Sequence, residues 1–312
     1  MAPLLEKIKN FFAAQPCPSL VFQLSSSYIS GIEIAVKEKT VKRHALFPLP
    51  AGLVEPHFDR KNLVDASALA GLMKEGLKRL HFSGERAACL IPESCFKIFV
   101  FAFDSFPPSE REREKILLWR AKKQMPVLPE DARLSYEVMA SSASIKVLAL
   151  LARKAVIREY EDLFASLGLK IGMLTAPTLS LLNLVDWEKE KDLIVANVEE
   201  DSISLMAITR SEMALYRFKP FAFESQGPPQ AGQKIGNIVK EIENTVHFIE
   251  DREKQTIHSL WLRSSLSESQ EAILSELARR LPFSVKPIGS PYLDEIPSSE
   301  RAVFAPLAGQ IP

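Results

Sequence analysis

The chain has 312 residues, 46% hydrophobic and 25% charged, and its 39 Lys and Arg balance 39 Asp and Glu. Zero net charge removes any long-range attraction to nucleic acid or anionic lipid, and the length suits roughly two domains. Only 12 residues are Gly, where roughly 20 would be average; they are too scattered to spell GxGxxG or a P-loop, which counts against the standard phosphate-loop enzymes.

Met1–Phe12 reads as a short amphipathic helix, with Leu4, Leu5, Ile8, Phe11 and Phe12 on one side. It lacks the basic region and apolar core of a signal peptide, and no run approaches the ~20 apolar residues of a membrane span. It would dock on its own domain, on a membrane surface or on a partner. Leu20–Leu24, the turn Ser25–Ser27 and Tyr28–Lys37 read as a hairpin, and Thr40–Leu49 as a third strand. Asp65 caps a helix predicted to run to about Leu80, and Arg86–Ile91 and Cys95–Phe103 are apolar strands. After the break at Asp104–Ser109, Ser109 and Glu112 resemble a capping box for a helix from Glu110 to about Gln124, which Pro126 ends. Leu134–Met139 and Ile145–Leu151 form a strand pair; a helix at about Lys154–Leu167 stops at Gly168. Lys170–Leu174 is a short strand and Thr178–Val185 a helix. Leu193–Val198, Ser202–Ile208 and Ala214–Phe218 are three further strands, and Glu224–Gly232 is a loop. A long helix follows at about Ile235–Arg252, then a strand at Ser259–Leu262, a helix at Glu268–Arg280, a strand at Phe283–Pro287 and a small-residue helix at Ala302–Gly309. The order strand–strand–strand–helix–strand–helix thus occurs twice, which predicts two α/β lobes with mixed sheets.

The three cysteines, Cys17, Cys89 and Cys95, include no CxxC, and the five histidines show no metal spacing. Cys89 and Cys95 sit in apolar stretches where a buried thiol is expected. No Ser lies in a GxSxG elbow.

Several motifs resemble the PilM family of type IV pilus assembly, actin-like proteins related to the cell-division protein FtsA. The family opens with a strand, Asp-Ile-Gly-Ser-Ser-Ser-Val-Lys and a strand ending in Glu; here this stands as Val21-Phe-Gln-Leu-Ser-Ser-Ser-Tyr-Ile-Ser-Gly-Ile-Glu33. Leu49-Pro-Ala-Gly-Leu-Val54 matches a Leu-Pro-x-Gly-Leu-Val loop. Trp119-Arg-Ala-Lys-Lys-Gln-Met-Pro-Val127 matches a helix end of the form Trp-Glu-Ala-x-x-x-Ile-Pro-Phe, and the family-like Pro129-Glu-Asp-Ala-Arg-Leu-Ser-Tyr-Glu-Val138 follows. The resemblance covers about residues 18–262 and weakly the remainder. It implies an actin-like, ribonuclease H-like fold: a terminal helix (1–18), a first lobe (19–191) with an inserted subdomain at about 104–144, a second lobe (192–290), and a tail (291–312) returning to the first lobe.

Actin-like ATPases hold Mg–nucleotide between the lobes, with an Asp and nearby glycine in each of two hairpin loops. A hard cation wants charged oxygen ligands, and glycine lets backbone N–H groups approach phosphate. By this alignment Gln23 takes the first Asp position, Ser25 the Gly position and Ser30 the Lys position, while Ser26 and Ser27 remain. In the second loop Asn197 replaces Asp and Glu199 replaces Gly, so Glu199, Glu200 and Asp201 would repel phosphate. The third glycine pair, near the adenine, becomes Arg263-Ser264-Ser265, placed just after the strand Leu260–Leu262.

The resemblance then implies a non-catalytic scaffold, a pseudo-ATPase with no cofactor, of a type IV pilus or related secretion machine. Its partner would be the short cytoplasmic tail of a PilN-like inner-membrane protein, and its place the cytoplasmic face of that membrane. The tail would lie between the first lobe and its insertion, with Phe96, Phe99, Phe101, Phe106, Trp119 and Met125 as candidate groove residues. Trp119 is also at helical spacing with Ile116, where core packing is the commoner role. Self-association remains open. The alternatives are an ATP–Mg-binding switch or ATPase of the same fold, and a peripheral membrane anchor acting through the N-terminal helix.

Overall fold

A computed structural model describes residues 18–311, apart from 83, 126, 141–144, 187–188 and 222–230. The expected N-terminal helix and all but the end of the 224–232 loop lie outside the described residues. Strands β1 (Leu20–Leu24), β2 (Tyr28–Ala35) and β3 (Thr40–Pro48) form an antiparallel meander. Helix α1 (Ala66–Leu80) leads to β4 (Arg86–Leu90), parallel to β1. Then β5 (Phe96–Phe103), α2 (Glu110–Gln124), β6 (Ala132–Ala140) and β7 (Ile145–Arg153) build a separate three-stranded antiparallel sheet ordered β5-β7-β6. Helix α3 (Lys154–Ser166) returns the chain to β8 (Lys170–Thr175), parallel to β4, which completes a five-stranded sheet ordered β3-β2-β1-β4-β8. Short helix α4 (Pro177–Leu181) closes this half.

The second half repeats the plan. Strands β9 (Leu193–Val198), β10 (Ser202–Thr209) and β11 (Glu212–Pro220) form a meander; α5 (Ala231–Glu253) leads to β12 (Ser259–Ser264) and α6 (Ser267–Arg280) to β13 (Ser284–Pro287). The order is β11-β10-β9-β12-β13, with β12 parallel to both its neighbours. Helix α7 (Arg301–Ala308) then packs back against α4, β1, β2 and β12.

Local chemistry accounts for most boundaries. The Asp65 carboxylate accepts from the Ala68 N–H at 2.9 Å, and α1 buries Leu69, Met73, Gly76 and Leu80 at helical spacing. At its other end His81 adopts the left-handed conformation, φ 45°. Gly168, φ +76°, makes the turn after α3, where a side chain would be strained. Every residue of β9 and β10 is buried, so both read as near-continuous apolar runs. The alternation is still at work. Leu193, Val195, Met206 and Ile208 join the first-lobe core, while Ile194, Ala196, Leu205 and Ala207 pack under α5 and α6. One face of the second-lobe sheet therefore shares the first lobe's apolar interior, while the other face builds a core of its own.

Four expectations change. The separate sheet takes in β5 and β7, so the chain between the first-lobe strands β4 and β8 commits Phe96–Arg153 to it, wider than 104–144. Ser109 is at the N-cap of α2 but its side chain makes no capping bond; its carbonyl instead receives the Glu112 and Arg113 N–H groups. Helix α5 begins at Ala231, taking Gly232 out of the predicted loop. Strand β12 runs two residues beyond Leu262, because parallel pairing with β9 continues through Arg263↔Asn197 and Ser264↔Val198.

Helix α7 is fastened to the first lobe at its C-terminal end. Ser180 Oγ donates to the Pro306 carbonyl, Gln310 Nε2 donates to Ser180 Oγ, and Asn183 Nδ2 donates to the Gly309 carbonyl at 2.8 Å. A Cβ at Gly309 would stand 2.2 Å from the Ser180 carbonyl oxygen. Backbone must shift to admit it, so Gly309→Ala should cost about 1–3 kcal/mol, read as a lowered urea midpoint. An unchanged midpoint would show that this contact relaxes freely.

Candidate functional site

The duplicated plan places two equivalent hairpin loops face to face between the lobes. In the β1–β2 loop the Ser25 N–H donates to the Tyr28 carbonyl at 2.9 Å; in the β9–β10 loop the Glu199 N–H donates to the Ser202 carbonyl at 2.9 Å. Gln23 thus corresponds to Asn197, and Ser25 to Glu199. Gln23, Ser25, Ser30, Asn197 and Glu199 are all buried, while Ser26 and Ser27 are half-buried.

Several of the loop N–H groups are already engaged by the protein itself. Ser25 Oγ accepts from the Ser27 N–H at 3.1 Å and the Tyr28 N–H at 2.9 Å, closing the turn on itself. After β12, the Ser264 N–H donates to Gln270 Oε1 at 2.9 Å, the Ser265 N–H to the Val198 carbonyl at 2.9 Å, and the Leu266 N–H to Ser264 Oγ at 3.1 Å.

Arg263 fills the space between the loops. Its side chain is 0% exposed, and all five N–H donors of a guanidinium find acceptors. Nη1 donates to Glu199 Oε1 and to Asn197 Oδ1 at 2.9 Å. Nη2 donates to the Tyr28 hydroxyl at 2.8 Å and, at 3.4 Å, to the Val303 carbonyl. Nε donates to the Ala302 carbonyl at 2.7 Å. Tyr28 in turn accepts from Gln23 Nε2 at 2.8 Å and donates to the Glu199 carboxylate, 3.1–3.2 Å away; Gln23 Nε2 also donates to Glu199 Oε1 at 3.0 Å. Burial alone would lower the Arg263 pKa, but the Glu199 carboxylate and the Tyr28 oxygen outweigh it and hold the guanidinium above its ordinary value. Burial is also the largest reason the Tyr28 phenol is pushed up. Beside this network Gln23 Oε1, Ser30 Oγ and Asn197 Nδ2 are buried with no hydrogen-bond partner among the described residues.

Outside the network the cleft opens into a cavity of about 550 Å³ lined by Ser26, Ser27, Gly52, Arg60, Glu200 and Asp201, among others. Glu200 is bonded by Lys234 Nζ at 2.6 Å. Among the described residues no group of three or more His, Cys, Asp or Glu is placed to hold a metal ion.

The duplicated sheet order and the paired loops have a counterpart among solved structures. A PilM–PilN type IV pilus biogenesis complex contains a chain similar to this one with a TM-score of 0.76 and 16% identity, over 96% of this chain and 100% of that one. The fold is actin-like. The ethanolamine utilization protein EutJ from Carboxydothermus hydrogenoformans is similar at a TM-score of 0.50 and 12% identity, over 99% of this chain and 97% of that one. No protein-family model and no curated protein sequence matches the chain.

Within the actin-like fold, the sequence places Gln23, Ser25, Ser30, Asn197 and Glu199 in the interlobe cleft, and the structure brings them together. Arg263 changes role. It is a strand residue reaching the centre of the cleft rather than a turn residue beside it. Ser264 is also within β12, and only Ser265 lies past it. Tyr28 and Glu93 were missed. Glu93 is 4% exposed and its Oε1 accepts the Thr178 N–H at 2.7 Å, at the start of α4. The one available signal was an acid inside the apolar stretch Leu90-Ile-Pro-Glu-Ser-Cys-Phe96.

The six aromatic and Met candidates divide. Phe96 is buried in the first-lobe core and Phe101 in the core of the separate sheet, so neither faces a groove. Phe99 stacks on Phe101 at 5.4 Å between ring centres, and Phe106 packs on Phe103 and Tyr136; both are half-buried, as is Met125. Trp119 alone is substantially open, 54% exposed, with Lys123 Nζ 3.7 Å over its ring. Cys89 and Cys95 are buried free thiols, and burial pushes Cys95 up to about 12.

Proposed function

We propose that this chain is a non-catalytic actin-like scaffold of a type IV pilus or related secretion machine. It binds the short cytoplasmic N-terminal tail of a PilN-like inner-membrane protein and works at the cytoplasmic face of that membrane. The likeness to the PilM–PilN chain over 96% of this one carries the assembly reading. No helix among the described residues is long and apolar enough to cross a membrane; in this reading contact with the membrane is indirect, through the partner, or made by the N-terminal helix.

The pseudo-ATPase part rests on the cleft. The residues there do not fit Mg–nucleotide. Gln23 and Asn197 offer neutral amides where a hard cation needs carboxylates. The N–H groups of Ser27, Tyr28, Ser264 and Leu266 are spent on side chains of the protein itself. The guanidinium of Arg263 and the carboxylate of Glu199 occupy the space between the loops.

Partner capture is placed beside the separate sheet, with Trp119 as its aromatic anchor, since exposed Trp is the residue type most often decisive in a binding surface. Titrating a peptide of the neighbouring membrane protein's N-terminal tail tests the reading. Micromolar binding that weakens about tenfold in Trp119→Ala supports it, a loss of about 1.4 kcal/mol. No binding at high micromolar peptide overturns it. In the same samples millimolar Mg–ATP should leave the melting temperature unchanged; a clear rise would return the ATP-binding switch.

A further inference from the structure

The buried Arg263 network has a mechanical consequence that is independent of any partner. Helix α7 contains Pro306. Proline has no N–H, so the Ala302 carbonyl has no helical donor at its i+4 position. Arg263 Nε supplies the missing bond at 2.7 Å, and Nη2 reaches the neighbouring Val303 carbonyl. The same guanidinium holds Tyr28 of the first lobe, and Glu199 and Asn197 of the second. One side chain therefore ties three parts of the chain that are 235, 64 and 39 residues away from it in sequence. At its far end α7 is fixed to the first lobe through Ser180 and Asn183.

We propose that Arg263 is a built-in clasp: it bridges the two lobes and completes α7, so that the lobes stay closed with no ligand between them. Actin-like proteins close their lobes around a charged guest. Here the guest's place is taken by a side chain whose charge is balanced and whose donors are all used. A clasp of this kind predicts a molecule without hinge motion, whose α7 depends for its order on a residue in the other lobe.

Hydrogen exchange on the full chain tests this. In Arg263→Ala, amides of α7 and of the β1–β2 loop should exchange at least tenfold faster, while those of α1 and α3 keep wild-type protection. Millimolar methylguanidinium, which restores the missing donors, should return the wild-type rates. Adding Pro306→Ala gives α7 its own donor for the Ala302 carbonyl. It should restore protection to α7 and leave the β1–β2 loop fast. Should Arg263→Ala fail to fold, Tyr28→Phe removes one acceptor and should speed exchange in the β1–β2 loop and in α7 by a few-fold. Faster exchange confined to β12 and its neighbours, with α7 and the β1–β2 loop unchanged, would overturn the proposal. So would uniform acceleration that neither methylguanidinium nor Pro306→Ala reverses.

Discussion

Replacing Arg263 by Met is expected to lower the unfolding free energy by about 3–5 kcal/mol, the range for breaking a buried ion pair from one side. The size follows from what is left behind. The Glu199 side chain is only 12% exposed, and without the guanidinium it keeps just the Gln23 amide and the Tyr28 hydroxyl as donors. Asn197 Oδ1 and the Ala302 carbonyl lose the Arg263 donors as well. Buried polar groups stripped of partners carry their full desolvation cost. Removing the charge together with its counterpart, in Arg263→Met/Glu199→Gln, should recover about half the loss or more, since no uncompensated carboxylate then remains. Urea unfolding at constant m-value reads both numbers. A loss under about 1 kcal/mol for the single variant, the size of an exposed pair, would show that Glu199 finds solvent once Arg263 is gone.

The second large effect is a pH dependence centred on Glu93. Burial is the main influence on this carboxyl and pushes its pKa up to about 7, against the lowering effect of its bonds with Thr178. In the unfolded chain it titrates in the ordinary carboxylate range. Between the two values the folded state binds the proton and the unfolded state does not, so stability falls as pH rises. The contribution is intact below the ordinary Glu value and is lost progressively as pH climbs through about 7. Between pH 5 and pH 8 the loss from this group should be about 2–3 kcal/mol. Glu93→Gln keeps a carbonyl to accept the Thr178 N–H and removes the ionisation, so its stability should be nearly level over that interval. Urea unfolding of both proteins at the two pH values makes the comparison. Parallel loss in wild type and Glu93→Gln would sink the assignment.

Those two residues also mark the limit of what the sequence discloses. Elements with local punctuation were legible. Asp65 begins α1, Gly168 follows α3, and α2 stops one residue before Met125-Pro126. The doubled order of strands and helices pointed to two lobes, and the family resemblance put Gln23 and Asn197 in the cleft where the structure finds them. Arg263 was misread because the end of β12 is set by pairing with β9, not by any local breaker. Once the strand extends to Ser264, the Arg263 side chain points into the cleft. Tyr28 gave no signal because its charged partners, Glu199 and Arg263, come from the other lobe. Phe96 and Phe101 are buried rather than lining a groove for a reason that period-two alternation contains. Phe96, Ile98 and Val100 face the first-lobe core, while Phe99, Phe101 and Phe103 face the core of the separate sheet. Phe96 therefore cannot share a surface with Phe99 and Phe101.

The lone proline of α7 also fixes an order of events during synthesis. A nascent chain that has reached residue 290 already carries all the described strands of the three sheets. Its Arg263 nevertheless has no Ala302 or Val303 carbonyl to bond, and α4 has no α7 to receive. The seam between the lobes is thus completed only when residues 302–310 are in place. Until then a cationic side chain and an apolar interior shared by both halves stand open. Such half-closed species are the ones prone to mispair or aggregate. Closure of the seam accordingly waits on residues 302 and 303, and a chain cut just before residue 302 would hold two nearly finished lobes that cannot seal.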